Sequence, residues 1–256
     1  MSQTKYEIQE SKGYYNIQAE LLQPWSNFVM KAKLPPAILE KMIKTTDEIV
    51  EDKKNFMEFT GSGQLENQYV VQLEKIESPL MNFFLGAFRN YVEQAFCQHD
   101  PMNREKYLTE KWYTQIISMW INSQQNNEYF PIHYHINCSL SGIIYLKIPE
   151  YLPSRRQSEF GDMGKDALNN NNDDGTVTFV GHPSPSPDWG ALTMSFQPQV
   201  GDLFIFPSSL FHFVYPFRTA DGKGERRSVS FNAIFSDKFQ GTGTYAHPPE
   251  SHEEND

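Results

Sequence analysis

Apolar positions along this chain follow two different periods. Before residue 100 they recur every three or four residues; after residue 112 they fall in short runs of alternating or continuous apolar character. Residues 35–54, PPAILEKMIKTTDEIVEDKK, place Ile38, Leu39, Met42, Ile43, Ile49 and Val50 at helical spacing, with prolines where a first turn tolerates them. An amphipathic helix is predicted there. Residues 78–98 repeat the pattern: Ser78 can cap, Pro79 opens the helix, and Leu80, Phe84, Phe88, Tyr91, Val92 and Phe96 form one stripe. This second helix is expected to be the more deeply packed.

From residue 112 the pattern predicts strands. WYTQIISMWINS is aromatic and β-branched until Asn126-Asn127 breaks it. Residues 140–148, 175–181, 191–196, 201–207, 212–217 and 226–235 continue the pattern between Gly, Pro, Asn and Asp. The polar, Asn-rich stretch 154–174 is longer than an ordinary connection and reads as a lid or a disordered insertion; the tail AHPPESHEEND has no apolar period and reads as disordered. Helices followed by many short strands predict a mainly β, α+β fold. The expected architecture is a double-stranded β-helix, a cupin-like jelly roll, with N-terminal supporting helices. The expected divisions are a helical support region over 1–111, the β core over 112–240 and a tail over 241–256.

Composition narrows the function. A net charge of −10 disfavours a nucleic-acid backbone or an anionic membrane as the main partner. Cys97 and Cys138 are the only cysteines, which argues against a disulfide framework or a zinc ribbon and fits a reducing cytoplasm. The N-terminus lacks an apolar signal region and no run approaches a membrane span, so a soluble, unexported protein is expected.

Of seven histidines, His99, His182, His247 and His252 sit at a helix end, in a Pro-Ser loop and in the tail, where plain solvation accounts for them. His133 and His135 differ. Residues two apart on a strand project to one face, so both imidazoles can converge on one ion. His212, beyond GDLFIFPSSLF, is the third candidate: a jelly roll makes neighbours of strands distant in sequence, although a rim histidine bonded to backbone is an equal reading of it alone. In GERRSVSFNAIF, Val229, Phe231 and Ala233 alternate with Ser228, Ser230 and Asn232. Arg227, if it points inward, can hold a carboxylate bidentately; an exposed basic pair is the plainer alternative.

Taken together, H-x-H, SGIIYL, GDLFIFPSSLFH and RRSVSFN resemble the iron(II) and 2-oxoglutarate dependent dioxygenases. The resemblance is to the prolyl-hydroxylase-like branch, and closest to a group of 2-oxoglutarate oxygenases of bacteria and phages. It covers about residues 112–236. It implies iron(II) and 2-oxoglutarate as cofactors, with His133, His135 and His212 as metal ligands. Arg227 is implied as anchor of the distal 2-oxoglutarate carboxylate, with Arg226 as fallback, and Tyr145 as a hydrogen-bonding partner of the same molecule. Asn232 is carried over as a further cofactor-binding residue; it lies on the same strand, one step out of phase with Arg227, so a bulge or the opposite orientation decides its role. The family usually has a carboxylate where this chain has His135, so Asp162 or Asn137 are alternatives for that ligand. The implied reaction is O2-dependent hydroxylation of an unidentified substrate, a protein side chain such as proline or a small metabolite, with release of succinate and CO2. Ile144, Leu203, Ile205 and Phe231 are the expected pocket wall. The rival readings are a non-catalytic cupin-like metal or ligand-binding module and a structural protein with a decayed site. Oligomeric state has no signal in the sequence.

Overall fold

The computed structural model describes residues 4–7, 18–22, 28–57, 65–109, 112–152, 173–181 and 192–236, the first two segments as backbone only. Most of the 154–174 stretch, the 241–256 tail, and with them Asp162, His182, His247 and His252, lie outside the described residues.

Among the described residues three α-helices form: α1 (Pro36–Glu51), α2 (Ser78–His99) and α3 (Arg104–Thr109). Ser78 does not cap α2. It is the first helical residue, Glu77 holds the cap position without a side-chain bond, and Pro79 has no N–H for a cap to satisfy. The described residues also form twelve strands, in chain order β1 (Thr4–Glu7), β2 (Gln18–Leu22), β3 (Val29–Lys33), β4 (Gln68–Val70), β5 (Tyr113–Gln124), β6 (Phe130–His133), β7 (Leu140–Lys147), β8 (Val177–Val180), β9 (Thr193–Phe196), β10 (Asp202–Pro207), β11 (Phe211–Val214) and β12 (Arg226–Ser236).

The strands build two antiparallel sheets. The main sheet runs β1-β2-β3-β10-β7-β12-β5-β4 and the smaller one β6-β11-β8-β9. From β5 onward the chain passes back and forth between the sheets, so the inner four of the main sheet, β5-β12-β7-β10, face a second four. That winding is the double-stranded β-helix. The region up to residue 111, expected to be helical, also supplies β1 to β4, which widen the main sheet at both edges. Those strands gave no alternation to read: in β3 the adjacent Val29 and Met30 are both buried, and β4 is three residues long. β6 holds Pro131, tolerated because β6 is an edge strand.

Each strand of the main sheet divides its side chains between two environments. One face packs on the helices. Leu140, Ile144 and Leu146 of β7, Leu203 and Ile205 of β10, and Val229, Phe231 and Ala233 of β12 join α2 in one apolar core. Phe231 meets Phe84 and Phe88 with ring centroids 5.2 Å apart in both pairs. A Cβ on Gly142, its partner across β7, would come within 2.8 Å of the Phe231 ring, so glycine leaves room for that ring. The other face looks into the roll, where Tyr145, Phe204 and Phe206 pack with Val177 and Phe179 of the smaller sheet. No helix among the described residues is long and apolar enough to cross a membrane.

Candidate active site

His133 ends β6 and lies opposite His212 of β11 in the strand register. His135, two residues on, is fixed where its backbone N–H donates to the Ser208 carbonyl at 2.9 Å. One ring nitrogen from each of His133, His135 and His212 can be chosen so that all three lie within 4.8 Å of one another. The Nδ1 of His133 lies 2.8 Å from the Pro131 carbonyl and that of His212 lies 2.9 Å from the Leu210 carbonyl. Both contacts require Nδ1–H, which leaves each Nε2 as a bare lone pair. The Nε2 atoms of His135 and His212 stand 3.4 Å apart.

Burial holds all three imidazoles below the ordinary histidine range. For His135, burial and then the neighbouring His133 push it down to about 4; His212 lies well below the usual value. The rings are therefore neutral at pH 7, the form that binds metal. Nitrogen donors converging in this way suit a first-row divalent ion.

The histidines line a cleft between the sheets whose free space, open mouth included, is ≈ 540 Å³. The same cleft is lined by Arg226, Ser228 and Ser230 from β12 and by Asn122 and Gln124 from β5. Arg226 is 2% exposed, its guanidinium lies 5.0 Å from the Tyr145 ring centroid, and one of its terminal nitrogens donates to the Gly175 carbonyl. Three polar atoms here are buried without a hydrogen-bond partner: Arg226 Nε and the hydroxyls of Tyr145 and Tyr151. Burial, opposed by Arg226, pushes the Tyr145 hydroxyl up to about 12, and that of Tyr151 is raised for the same reason. Both are thus protonated donors. A buried cation flanked by two unmet O–H groups forms a cradle for a carboxylate, since orphaned polar atoms are costly unless a ligand meets them.

Sequence reasoning and structure part at four residues or groups of residues. Arg227 does not enter the cleft: it is in phase with Val229 and Phe231, and its guanidinium binds Glu225 at 2.6 and 2.9 Å and Asp47 of α1. The fallback, Arg226, occupies the cleft instead. Asn232 accepts a 2.8 Å hydrogen bond from Ser141 and does not line the cleft. Ile144, Leu203, Ile205 and Phe231 belong to the helix-facing core, and the apolar wall is built from Ile143, Val177, Phe206 and Val214. Asn137 is exposed, in the left-handed region at φ 60°. Tyr145 lies with its ring against Arg226, as described. Tyr151 was missed because it lies past the end of β7, where no periodicity marks it. Asn122, Gln124, Ser228 and Ser230 could have been found from strand alternation.

Residues 118–232 match the family described as "Putative 2OG-Fe(II) oxygenase", a span running from within β5 to within β12. That segment is an oxygenase domain of the class that uses iron(II) and 2-oxoglutarate, and the protein is an enzyme of that kind. Solved structures similar to the chain include a Pseudomonas putida prolyl-4-hydroxylase, 14% identical over 80% of this chain and 91% of that one, TM-score 0.48. A collagen prolyl hydroxylase of Paramecium bursaria Chlorella virus-1, in complex with 2-oxoglutarate, is 13% identical over 80% and 94%, TM-score 0.44. HygX of Streptomyces hygroscopicus, with nickel and 2-oxoglutarate bound, is 10% identical over 80% and 82%, TM-score 0.43. No curated protein matches the chain.

Proposed function

We propose that this enzyme hydroxylates a C–H bond of its substrate, with O2 consumed and 2-oxoglutarate converted to succinate and CO2. In this reading the Nε2 atoms of His133 and His212 and a ring nitrogen of His135 hold iron(II). Arg226 grips the distal carboxylate of 2-oxoglutarate, with the Tyr145 and Tyr151 hydroxyls as further donors. The observation that carries it is the occurrence, in one cleft, of three converging neutral imidazoles and a buried arginine beside two unmet hydroxyls. When bound, iron and the keto acid supply the oxidising chemistry.

The protein's own contribution is placement. The carbonyls of Pro131 and Leu210 fix the His133 and His212 tautomers, so two lone pairs face the same point without cost at the moment of metal binding. The Nε2 atoms of His135 and His212, 3.4 Å apart, can share the His135 ring proton when no metal is bound, and both would be free to face a metal once His135 changes tautomer. Arg226 sets which end of the diacid it holds, because its charge is buried and an anion compensates it best. Ile143, Val177, Phe206 and Val214 keep water from the space between anchor and metal face. Trp120, with its ring 5.7 Å from that of His135, flanks the entrance on the side of β5 and gives the substrate an aromatic surface.

The substrate, a protein side chain such as proline or a small metabolite, has no further signature among these residues. Both cysteines, Cys97 and Cys138, are free, which supports placing the protein in a reducing cytoplasm. The test is anaerobic: iron(II) with 2-oxoglutarate should produce a visible charge-transfer band in the wild type and none in His212→Ala. Oxygen should then release succinate. A protein that binds the metal and shows neither band nor succinate is the non-catalytic cupin-like module instead.

A further inference from the structure

The polar lining of the cleft is linked to β4, a strand that lies before the matched oxygenase segment. Backbone bonds hold this stretch on β5 at both ends: Ser123 N–H donates to the Asn67 carbonyl at 2.9 Å and Val71 N–H to the Met119 carbonyl at 3.0 Å. That pairing sets Gln68 opposite Asn122. Gln68 Nε2 donates to Asn122 Oδ1 at 2.5 Å, and Asn122 Nδ2 donates to Ser230 Oγ at 3.0 Å. Gln68 and Asn122 are both buried, and Asn122 and Ser230 line the cleft.

A carboxamide engaged at both ends cannot turn over without breaking two hydrogen bonds. The Gln68 donor takes the Asn122 oxygen, so the Asn122 NH2 is left to face Ser230. The Ser230 hydroxyl thereby accepts on the side of β5, and among the described residues its own proton has no partner. That proton is offered to the cleft. Hydrogen bonds in series polarise one another, so the last donor is stronger than an isolated serine. Its place is defined as well: Ser230 pairs with Trp120 and Ile143 across the two neighbouring strands, and the Trp120 ring lies 5.7 Å from that of His135. Four residues of β12, about 13 Å of strand, separate it from Arg226.

We infer that Gln68 is a positioning residue: acting through Asn122, it fixes the Ser230 hydroxyl as a one-way donor to an oxygen acceptor bound beside Trp120 and the histidines. This rests on the proposed function, which offers two sources of such an oxygen, a carbonyl of the substrate and the metal-side carboxylate of 2-oxoglutarate. It gives β4 a part in recognition as well as in widening the sheet.

The test uses the full chain with manganese(II) in place of iron, so that no turnover occurs. Gln68→Glu keeps the shape, but its carboxylate can only accept; it turns the Asn122 carboxamide over and draws the Ser230 proton onto the Asn122 oxygen. Manganese affinity should be unchanged, since no histidine takes part. 2-Oxoglutarate is titrated calorimetrically, and N-methylacetamide, a neutral carbonyl probe, is followed in the manganese and 2-oxoglutarate complex by the relaxation of its methyl protons. Gln68→Glu should weaken at least one of the two about fivefold: a loss for the amide alone assigns the donor to a substrate carbonyl, a loss for the keto acid assigns it to the cosubstrate. If both affinities are unchanged in the folded variant the inference is overturned, as it is if manganese affinity falls by as much. Gln68→Met, which frees the carboxamide, takes its place in the titrations if the glutamate variant does not fold.

Thermal melts of metal-free Gln68→Met, Ser230→Ala and the double variant test the relay without metal or keto acid. The double variant should lose clearly less melting temperature than the two single losses added, because Gln68 acts on Ser230 through Asn122; additive losses overturn the inference. A wild type that binds neither manganese nor 2-oxoglutarate overturns the proposed function, and the melts then judge the relay by themselves.

Discussion

The two faces of the main sheet are made of the same strands and differ by one step of chain. On the helix side, Ile144, Leu203, Val229 and Phe231 pack against α2 in a continuous apolar layer, closed at its edge by Arg227, Asp47 and Lys147. On the side that looks into the roll, Tyr145 and Arg226 leave polar atoms unmet. One face is satisfied by its own neighbours and carries stability. The other is incomplete until something binds. Adjacent arginines make the contrast sharp: Arg227 ties a helix to the sheet, and Arg226 lines the cleft with its Nε unpartnered.

The largest effect should come from the satisfied face. Phe231→Ala removes the ring that meets Phe84 and Phe88 in a fully buried site, and should lower unfolding stability by about 3–5 kcal/mol. Urea denaturation measures it. If stability barely moves while 2-oxoglutarate binding collapses, the division between the faces is wrong.

Next in size is the arginine pair. Arg226→Ala should weaken 2-oxoglutarate binding roughly hundredfold while iron(II) affinity is nearly kept, because it removes a buried charge partner and no metal ligand. Arg227→Ala should leave 2-oxoglutarate affinity within a fewfold. Its cost should appear as about 1–2 kcal/mol of stability, since it strands Glu225 and Asp47, which are themselves partly exposed. Calorimetric titration of both variants separates the roles, and a reversed result would restore Arg227 as anchor.

Acid should also act through the incomplete face. In metal-free protein the three imidazoles are depressed, so the folded state binds fewer protons than the unfolded chain at mildly acid pH and stability falls with falling pH. The contribution is intact above the unfolded value near pH 6.5. For His135 it is lost progressively toward about 4, a loss of about 2 kcal/mol by pH 5 from this group alone. Thermal unfolding of the metal-free protein at pH 7.5 and pH 5 tests the sign. His135→Gln should flatten the slope.

The strands of the roll were legible from sequence because their alternation and their Gly, Pro and Asn boundaries are local signals. The convergence of the three histidines was legible in part, because two histidines at strand spacing share a side whatever the rest of the chain does. The arginine that lines the cleft was legible in principle, since Arg226 is in phase with Ser228 and Ser230, but its preference for the cleft depends on α2 covering the opposite face, a contact made across more than a hundred residues. The same phase error placed the pocket wall at Ile144 and Phe231. Tyr151 and the widening strands β3 and β4 had no readable pattern, because loop position and edge pairing are set by the tertiary fold.

The smallest effect discriminates best between a face that is incomplete by design and one that is merely imperfect. Tyr145 keeps its hydroxyl at zero exposure with no partner. Tyr145→Phe removes that hydroxyl and keeps the ring that packs against Arg226 and Phe204. Without ligand, the variant should be more stable than wild type by about 1 kcal/mol, because an unmet buried donor is relieved. With 2-oxoglutarate present the order should reverse, since the variant lacks a donor to the carboxylate and should bind it about tenfold more weakly. Paired thermal melts with and without 2-oxoglutarate read both signs in one experiment. A variant stabilised in both conditions would mean that the hydroxyl meets no ligand, and Tyr145 would then belong with the packing of the roll.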